Sequence, residues 1–318
     1  MHRIDGPGAT VDNKFTDGDP VAGIQATMVT DDWANDVQEN IMAVLLAAGV
    51  SPTKGRAADL LDSIRGISTM MAGEARNIKM SVAAASASGT LTADQVVVAE
   101  SLSGKTYRLN GFNKTINLAT TGVGAMDTGA APVSGFVALY AIYNPSLPLS
   151  TTNPALLGVN ATAVIASEVY SGANMPAGYA ASALLTVLPT NASGQFSVSL
   201  VEGRKVSILA ALTFTQGTNN ATYTSQSIAS FVPKNARKIG GYVVHSGGSS
   251  GSLLASFLSG AATGVGEKAF SATNSVASGG YNMAFEDLTV LTAQTLFFKN
   301  SSSIAGQSFT PFISSYYI

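Results

Sequence analysis

The 318-residue sequence contains no cysteine, which excludes disulfide bonds, thiolate metal ligands and a cysteine nucleophile. It has only two histidines, His2 and His245, in distant parts of the chain, so we do not expect a histidine metal site within one chain. Residues 81–318 hold only eight carboxylates, which leaves little material for paired acid–base chemistry. We therefore predict that the protein is not an enzyme and has no cofactor, metal or catalytic residue.

Long apolar runs are also missing. No stretch of eighteen apolar residues occurs, so we expect no membrane insertion. The residues after Met1 lack the apolar region of a secretory signal, which predicts synthesis in the cytoplasm. The net charge of −2 provides no basic field for nucleic acid.

Charge is scarce and unevenly distributed. Residues 1–80 hold 7 basic and 11 acidic side chains, whereas the 238 residues from 81 to 318 hold 10 and 8. Folded monomers usually carry a far more charged surface than this. Either the second part buries much of its surface against copies of itself, or its surface is rich in Ser, Thr, Asn and Gly.

The first 90 residues predict an irregular arm followed by helices. Thr30 is a suitable N-cap, an apolar stripe begins at Trp33, and Gly49 ends the pattern. A second short helix is predicted over Leu60–Ile67. A heptad-like pattern follows, for which two interpretations remain open: a short trimerising coiled coil, or a helix packed on its own domain. Its positions are Ile64, Met71, Ile78 and Ala85, with Ala75 and Val82 on the alternate seam.

From Leu91 onward the apolar period changes to two, which is typical of strands. Many short predicted strands, without helices between them, indicate a mainly β fold with a sandwich-like body and a small N-terminal helical part. Val201–Arg204 is the expected connection of a hairpin, and Ser246–Ser252 is an expected loop. The predicted divisions are an arm with its helix (1–50), a helical connector (51–90), a β-rich body (91–203) and a distal β domain (204–318).

The first forty residues contain a series of short motifs: Arg3-Ile4-Asp5, the segment from Phe15 to Pro20, Ala26-Thr27, and Trp33 followed by Gln38-Glu39-Asn40. These motifs resemble the H-R-I-D, F-T-x-G-x-P, A-T and W-x-x-x-x-Q-E-E pattern of bacteriophage and prophage tail fibres, with Asn40 in place of the last glutamate. In the body, Thr115–Gly122, Tyr140–Pro145, Met175–Tyr179 and Val232–Ala236 resemble a recurring β-rich tail-fibre domain. The resemblance implies a segment that attaches the fibre to the baseplate or tail tip, through Arg3, Ile4, Asp5, Phe15, Asp17, Gly18, Pro20 and Trp33.

The same resemblance implies a homotrimeric fibre located in the virion and made in the host cytoplasm. Its implied partners are tail-tip or baseplate proteins and a bacterial surface receptor: a glycan, lipopolysaccharide or a pilus. We place candidate receptor-binding residues near the predicted loop, at Tyr242, His245, Ser249 and Ser250. Tyrosines of the body are either a sugar-binding surface or strand packing. The alternatives are a purely structural tail-tip component and a fibre that cleaves polysaccharide.

Overall fold

The computed structural model describes residues 2–67, 71–247, 250–251, 253–274, 276, 279–302 and 307–318. The chain divides into two compact units. The N-terminal unit comprises Met1–Thr69 with Gly104–Thr106, and the body comprises Met70–Ser103 with Tyr107–Ile318. No helix in these described ranges is long and apolar enough to cross a membrane.

The N-terminal unit contains the two predicted helices, α1 (Asp31–Ala47) and α2 (Asp59–Gly66). The Thr30 hydroxyl accepts a hydrogen bond from the Trp33 N–H at 3.4 Å, as an N-cap residue does. Asp31 and Asp32 lie in the first turn, where carboxylates favour the helix dipole. Gly49 follows with φ of 67°, so the predicted start and end of this helix are confirmed.

Neither helical interpretation of the heptad-like pattern agrees with the structure, and most of the predicted helical connector is not helical. Helix α2 ends at Gly66, and two strands follow within the heptad-like pattern, β1 (Ala75–Arg76) and β2 (Lys79–Val82). Burial there alternates with period two, since Met80 and Val82 are buried and their neighbours are exposed. The physical reason is that these apolar residues supply one face of a sheet instead of a helical seam.

The body is built from strands, which confirms the predicted mainly β fold. The remaining strands are β3 (Ser88–Ala99), β4 (Thr106–Thr121), β5 (Ala125–Met126), β6 (Phe136–Tyr143), β7 (Ala155–Asn160), β8 (Ala181–Pro189), β9 (Ser199–Glu202), β10 (Lys205–Leu212), β11 (Asn220–Ser227), β12 (Lys238–Gly247), β13 (Leu253–Ser259), β14 (Lys268–Thr273), β15 (Gly280–Thr289), β16 (Thr295–Ser302) and β17 (Gln307–Tyr317).

Thirteen of these strands form one large sheet, in the order β15-β12-β17-β10-β9-β2-β3-β4-β5-β7-β6-β8, with β1 paired to β3. Strand β8 also pairs with β3, at Ser182 and Ala99, so six strands close into a ring. The remaining four strands form a small sheet in the order β11-β16-β13-β14.

The small sheet packs against the β15-β12-β17-β10 part of the large sheet, which gives the predicted sandwich. Aromatic rings pack between the two layers. The ring centroids of Phe298 and Phe309 are 6.2 Å apart, and those of Phe270 and Phe285 are 6.0 Å apart. The predicted hairpin is present, because Glu202 pairs with Lys205 around Gly203. The predicted boundary at 203 and 204 falls inside this hairpin, so the two predicted β domains form one unit with a continuous core.

Several polar side chains are buried in this part of the body, and His245 is one of them. His245 on β12 has 0% of its surface exposed, and its ring meets the Phe309 ring edge-on at 5.7 Å. Among the described residues, neither of its ring nitrogens has a hydrogen-bond partner. Burial lowers the pKa of His245 to about 4, because the apolar surroundings disfavour the charged imidazolium. The folded body therefore holds this ring neutral.

We expect His245 to make the folded state acid-sensitive. The pKa of His245 lies near 6.5 in the unfolded state and near 4 in the folded state. Between these two pH values, the imidazole binds a proton in the unfolded chain but not in the folded chain. The free energy of unfolding should fall by about 2–3 kcal/mol between pH 7.5 and 4.5 from this residue. In urea titrations, His245→Phe should lose that part of the pH dependence. If His245→Phe showed the same difference in unfolding free energy between pH 7.5 and 4.5 as the unaltered protein, this expectation would be contradicted.

Candidate attachment site in the N-terminal unit

The arm before α1 is held in shape by a threonine that joins three backbone segments. The Thr27 hydroxyl donates to the Gly8 carbonyl and accepts from the Thr16 N–H, both at 2.9 Å. The Thr27 N–H donates in turn to the Thr16 carbonyl at 2.9 Å. These bonds give the arm a defined path, although it has almost no apolar interior.

The F-T-D-G-D-P motif forms a tight turn within the arm. Asp19 pairs with Ile24, and the Asp19 carboxylate accepts the N–H groups of Val21 at 2.9 Å and Ala22 at 3.1 Å. Gly18 has φ of 74°, and a Cβ atom at this position would lie 2.5 Å from the Ala26 nitrogen. Only glycine fits there, for both conformational and steric reasons.

An aromatic pair connects the arm to α1. The ring of Phe15 meets the ring of Trp33 edge-on, with centroids 5.2 Å apart. At the start of the chain, the His2 Nδ1 atom lies 2.7 Å from a carboxylate oxygen of Asp36 on α1. This hydrogen bond raises the pKa of His2 and lowers the pKa of Asp36.

The eight predicted attachment residues thus divide into two groups. Residues of the first group shape the unit: Ile4 is 2% exposed, Gly18 permits the turn, and Phe15 packs on Trp33. The other four side chains lie on the surface, namely Arg3, Asp5, Asp17 and Pro20. Thr27 belongs to the tail-fibre resemblance but is not one of the eight predicted residues, because the sequence gives no sign of its hydrogen bonds to Thr16 and Gly8.

The surface of this unit is unusually apolar. Only two apolar residues of residues 2–67 are buried, Ile4 and Leu45. Twelve large apolar side chains of the same residues are exposed: Val11, Phe15, Val21, Ile24, Met28, Val29, Ile41, Leu46, Leu60, Leu61, Ile64 and Ile67. Val11 is 100% exposed and Val21 is 98% exposed. Soluble proteins rarely expose so much apolar surface unless it meets a partner.

The predicted receptor-binding residues that the structure describes do not form one surface. Tyr242 is half-buried and stacks on Phe312, with ring centroids 4.7 Å apart. The prediction for His245 is wrong, because its side chain is fully buried in the sandwich and has no surface to offer. Ser250 lies in an exposed turn, and Ser249 lies outside the described residues.

No protein-family model matches the chain. A curated relative, the uncharacterized protein StfP of Escherichia coli (strain K12), is 40% identical over 73 residues. This match covers 21% of the chain and 35% of StfP, so the chain spans about a third of the length of that relative.

Two solved structures share limited similarity with the chain. The structure of TmCBM61 in complex with β-1,4-galactotriose matches 38% of this chain and 63% of that chain, at 10% identity and a TM-score of 0.20. A structure of the T13 IBDV viral particle matches 89% of this chain and 77% of that chain, at 10% identity and a TM-score of 0.24. These scores are too low to carry an argument about fold or function.

Gly18→Ala should disorder the arm, and Gly23→Ala is its matched control. Both glycines have positive φ, 74° and 71°, so both variants bear the cost of about 1–2 kcal/mol for a left-handed alanine. At Gly18 the added Cβ would also collide with the backbone of Ala26. At Gly23 no atom lies within 4 Å of an added Cβ. Hydrogen exchange over residues 14–30 should speed up much more in Gly18→Ala. Equal exchange in the two variants would show that the close approach to Ala26 does not matter.

Proposed function

We propose that this chain is a structural, non-enzymatic protein of a phage or prophage tail, namely a tail fibre. Its N-terminal unit attaches to a tail-tip or baseplate protein, and its β body is directed toward the host cell. The observation that carries the proposal is the apolar surface of the N-terminal unit, where twelve large apolar side chains are exposed and two apolar residues are buried. The N-terminal motifs that resemble those of tail fibres lie in the same unit.

A unit with this surface gains stability when a partner covers it. Ordering each residue costs about 1–2 kcal/mol of backbone entropy, and burial of apolar surface is the main compensation. With Ile4 and Leu45 as its only buried apolar residues in the described part, this unit has very little such compensation. Burying one exposed Val, Leu or Phe side chain against a partner contributes roughly 1.5–3 kcal/mol. The unit is therefore suited to folding onto another protein.

The charges of the unit indicate what that partner surface would be like. Asp5, Asp31, Asp32 and Asp36 line one groove beside the start of α1. A partner that covers the apolar side chains would bring basic groups opposite these carboxylates, since unlike charges at the rim favour the correct orientation. We expect an apolar surface with a basic rim on the tail protein.

The body is suited to association with copies of itself. In the part of the body that the structure describes, fifteen large apolar side chains are exposed, among them Leu149 at 71% and Leu209 at 70%. Its few charges leave little to keep such a surface monomeric. A homotrimer would cover part of this surface and would also multiply weak contacts with a host surface, because linked binding sites act at high effective concentration.

Val11→Asp and Val21→Asp should prevent incorporation into tails without unfolding the chain. Both side chains are essentially fully exposed, so a carboxylate costs nothing in the isolated chain. Buried against a partner it would cost several kcal/mol. Val133→Asp is the control, since it places the same charge on an exposed valine of the body. Immunoblots of purified virions should show fibre loss in the first two variants only. Normal fibre content in all three would contradict attachment through the arm.

We predict that the purified protein is a homotrimer. Light scattering should give three times the chain mass of 32.3 kDa at micromolar concentration. The trimer should persist in high salt, because apolar contacts are not screened by ions. A mass of one chain would contradict the trimeric fibre.

A further inference from the structure

The small sheet has one face in the core and one face open. Leu254, Leu258, Leu296 and Phe298 point into the sandwich and are buried. On the open face, neighbouring strands carry half-buried aromatic rings between small and hydroxyl side chains. These open-face residues are Tyr223, Ser225, Ala255, Phe257, Ala269, Ser271, Phe297, Lys299 and Ser301.

Lys299 lies on this face between two aromatic rings. The Lys299 ammonium is 4.4 Å from the centroid of Phe257, its direct cross-strand neighbour, and 4.7 Å from the centroid of Tyr223. It is also 3.3 Å from a carboxylate oxygen of Glu267. The Tyr223 hydroxyl donates a hydrogen bond to the same oxygen. Four side chains from three strands and one loop therefore fix one another.

The backbone supports this arrangement. Gly264 has φ of 78°, and a Cβ atom there would lie 2.7 Å from the Tyr223 ring. The ring therefore rests against the turn that precedes Glu267. The Glu267 N–H donates to the Gly264 carbonyl at 3.1 Å, which fixes the turn itself. Because these side chains are already held in place, binding a ligand would not require the loss of conformational entropy that ordering them costs.

The cluster remains accessible and has unused hydrogen-bonding capacity. The Lys299 and Glu267 side chains are 29% and 39% exposed. Both contacts to Glu267 use Oε2, and within the described residues its Oε1 accepts no hydrogen bond. The tyrosine bond lowers the pKa of Glu267, so the carboxylate stays ionised and able to accept hydrogen bonds.

We propose that this open face binds a neutral glycan, with Phe297 as the stacking surface and with Lys299 and Glu267, held in place by Phe257 and Tyr223, as polar contacts. Sugar rings present C–H faces that pack on aromatic rings, while their hydroxyls pair with a carboxylate and an ammonium. The charges of Lys299 and Glu267 cancel, so the cluster offers no net attraction to an anionic polysaccharide. A second copy of the chain fits less well, because a dry interface would have to desolvate this ion pair at a cost of several kcal/mol per ion.

The inference deepens the proposed adhesive role but can be tested without virions. The full-length protein is applied to an array of bacterial oligosaccharides, with neutral O-polysaccharide fragments and acidic capsular fragments as separate arms. We expect retention on neutral members that hardly changes between about 0.05 and 0.5 M salt. Retention on acidic members alone, or on none, would overturn the proposal.

Lys299→Met tests the site itself, and Lys238→Met is its matched control. Both lysines pair with a carboxylate at 3.3 Å on the body, but only Lys299 lies between aromatic rings. We expect Lys299→Met, and separately Phe257→Ala, to weaken binding of the best neutral oligosaccharide by about tenfold or more. Lys238→Met should bind like the unaltered protein.

Three results would overturn this assignment. Equal weakening in Lys299→Met and Lys238→Met would mean that the cluster is not the site. A changed oligomeric mass of Lys299→Met in light scattering would show that the face is a subunit interface. Virions that carry Lys299→Met should retain their fibres, so loss of fibres from the tail would count against this site and leave attachment through the arm untouched.

Discussion

Apolar packing between β layers is the interaction on which the body depends. The chain has no cysteine, and few ion pairs occur among the described residues of the body, so the stability must come from buried apolar side chains. These side chains alternate with exposed ones along β2, but they follow one another without interruption along β6 and β8. Fully buried residues occur along both parts of the large sheet, from Leu139 and Leu185 in the closed ring to Ile313 in the open part. One continuous core therefore connects regions that the sequence had suggested as separate domains. The neutral His245 is a cost within this core, and it makes the body sensitive to acid.

The N-terminal unit is organised in a different way. Its arm is specified by hydrogen bonds of Thr27 and Asp19 and by close backbone approach at Gly18. Such contacts define a shape but contribute little stability on their own, since each net hydrogen bond is worth only about 1 kcal/mol. The apolar side chains that would normally form a core point outward instead. A specified shape with an uncovered apolar surface is what an attachment segment requires, because its core is completed by its partner.

Regular local signals were predicted well from sequence, whereas long-range pairing was not. Helix α1 follows from its cap and stripe, and the continuous apolar run Phe136–Tyr143 indicates a buried strand that has the same bounds as β6. Strand β11 was missed because it is polar and exposed on both sides, so it has no alternation to detect. Strand β17 was missed because Pro311 disfavours a central strand. The heptad-like spacing misled because Ile78 and Val82 also fit a period of two.

The candidate sites show the same limit. Family motifs identified Gly18, Phe15 and Trp33, whose importance is local in the chain. The Lys299 cluster joins Tyr223, Phe257 and Glu267 from distant positions, and only the pairing of β11, β13 and β16 brings them together. His245 was placed at the surface because it precedes a glycine- and serine-rich segment. Its strand partners Phe309 and Tyr281, which bury it, could not be read from that segment.

The central claim is that the N-terminal unit joins this chain to a phage tail while the body stays clear of it. Lysine cross-linking of assembled virions, followed by mass spectrometry, tests it most directly, because each part carries its own lysines. Lys14 and Lys54 should be linked to another tail protein, and Lys238 and Lys299 only to copies of this chain. Links from Lys238 or Lys299 to tail proteins, with none from Lys14 or Lys54, would contradict the account.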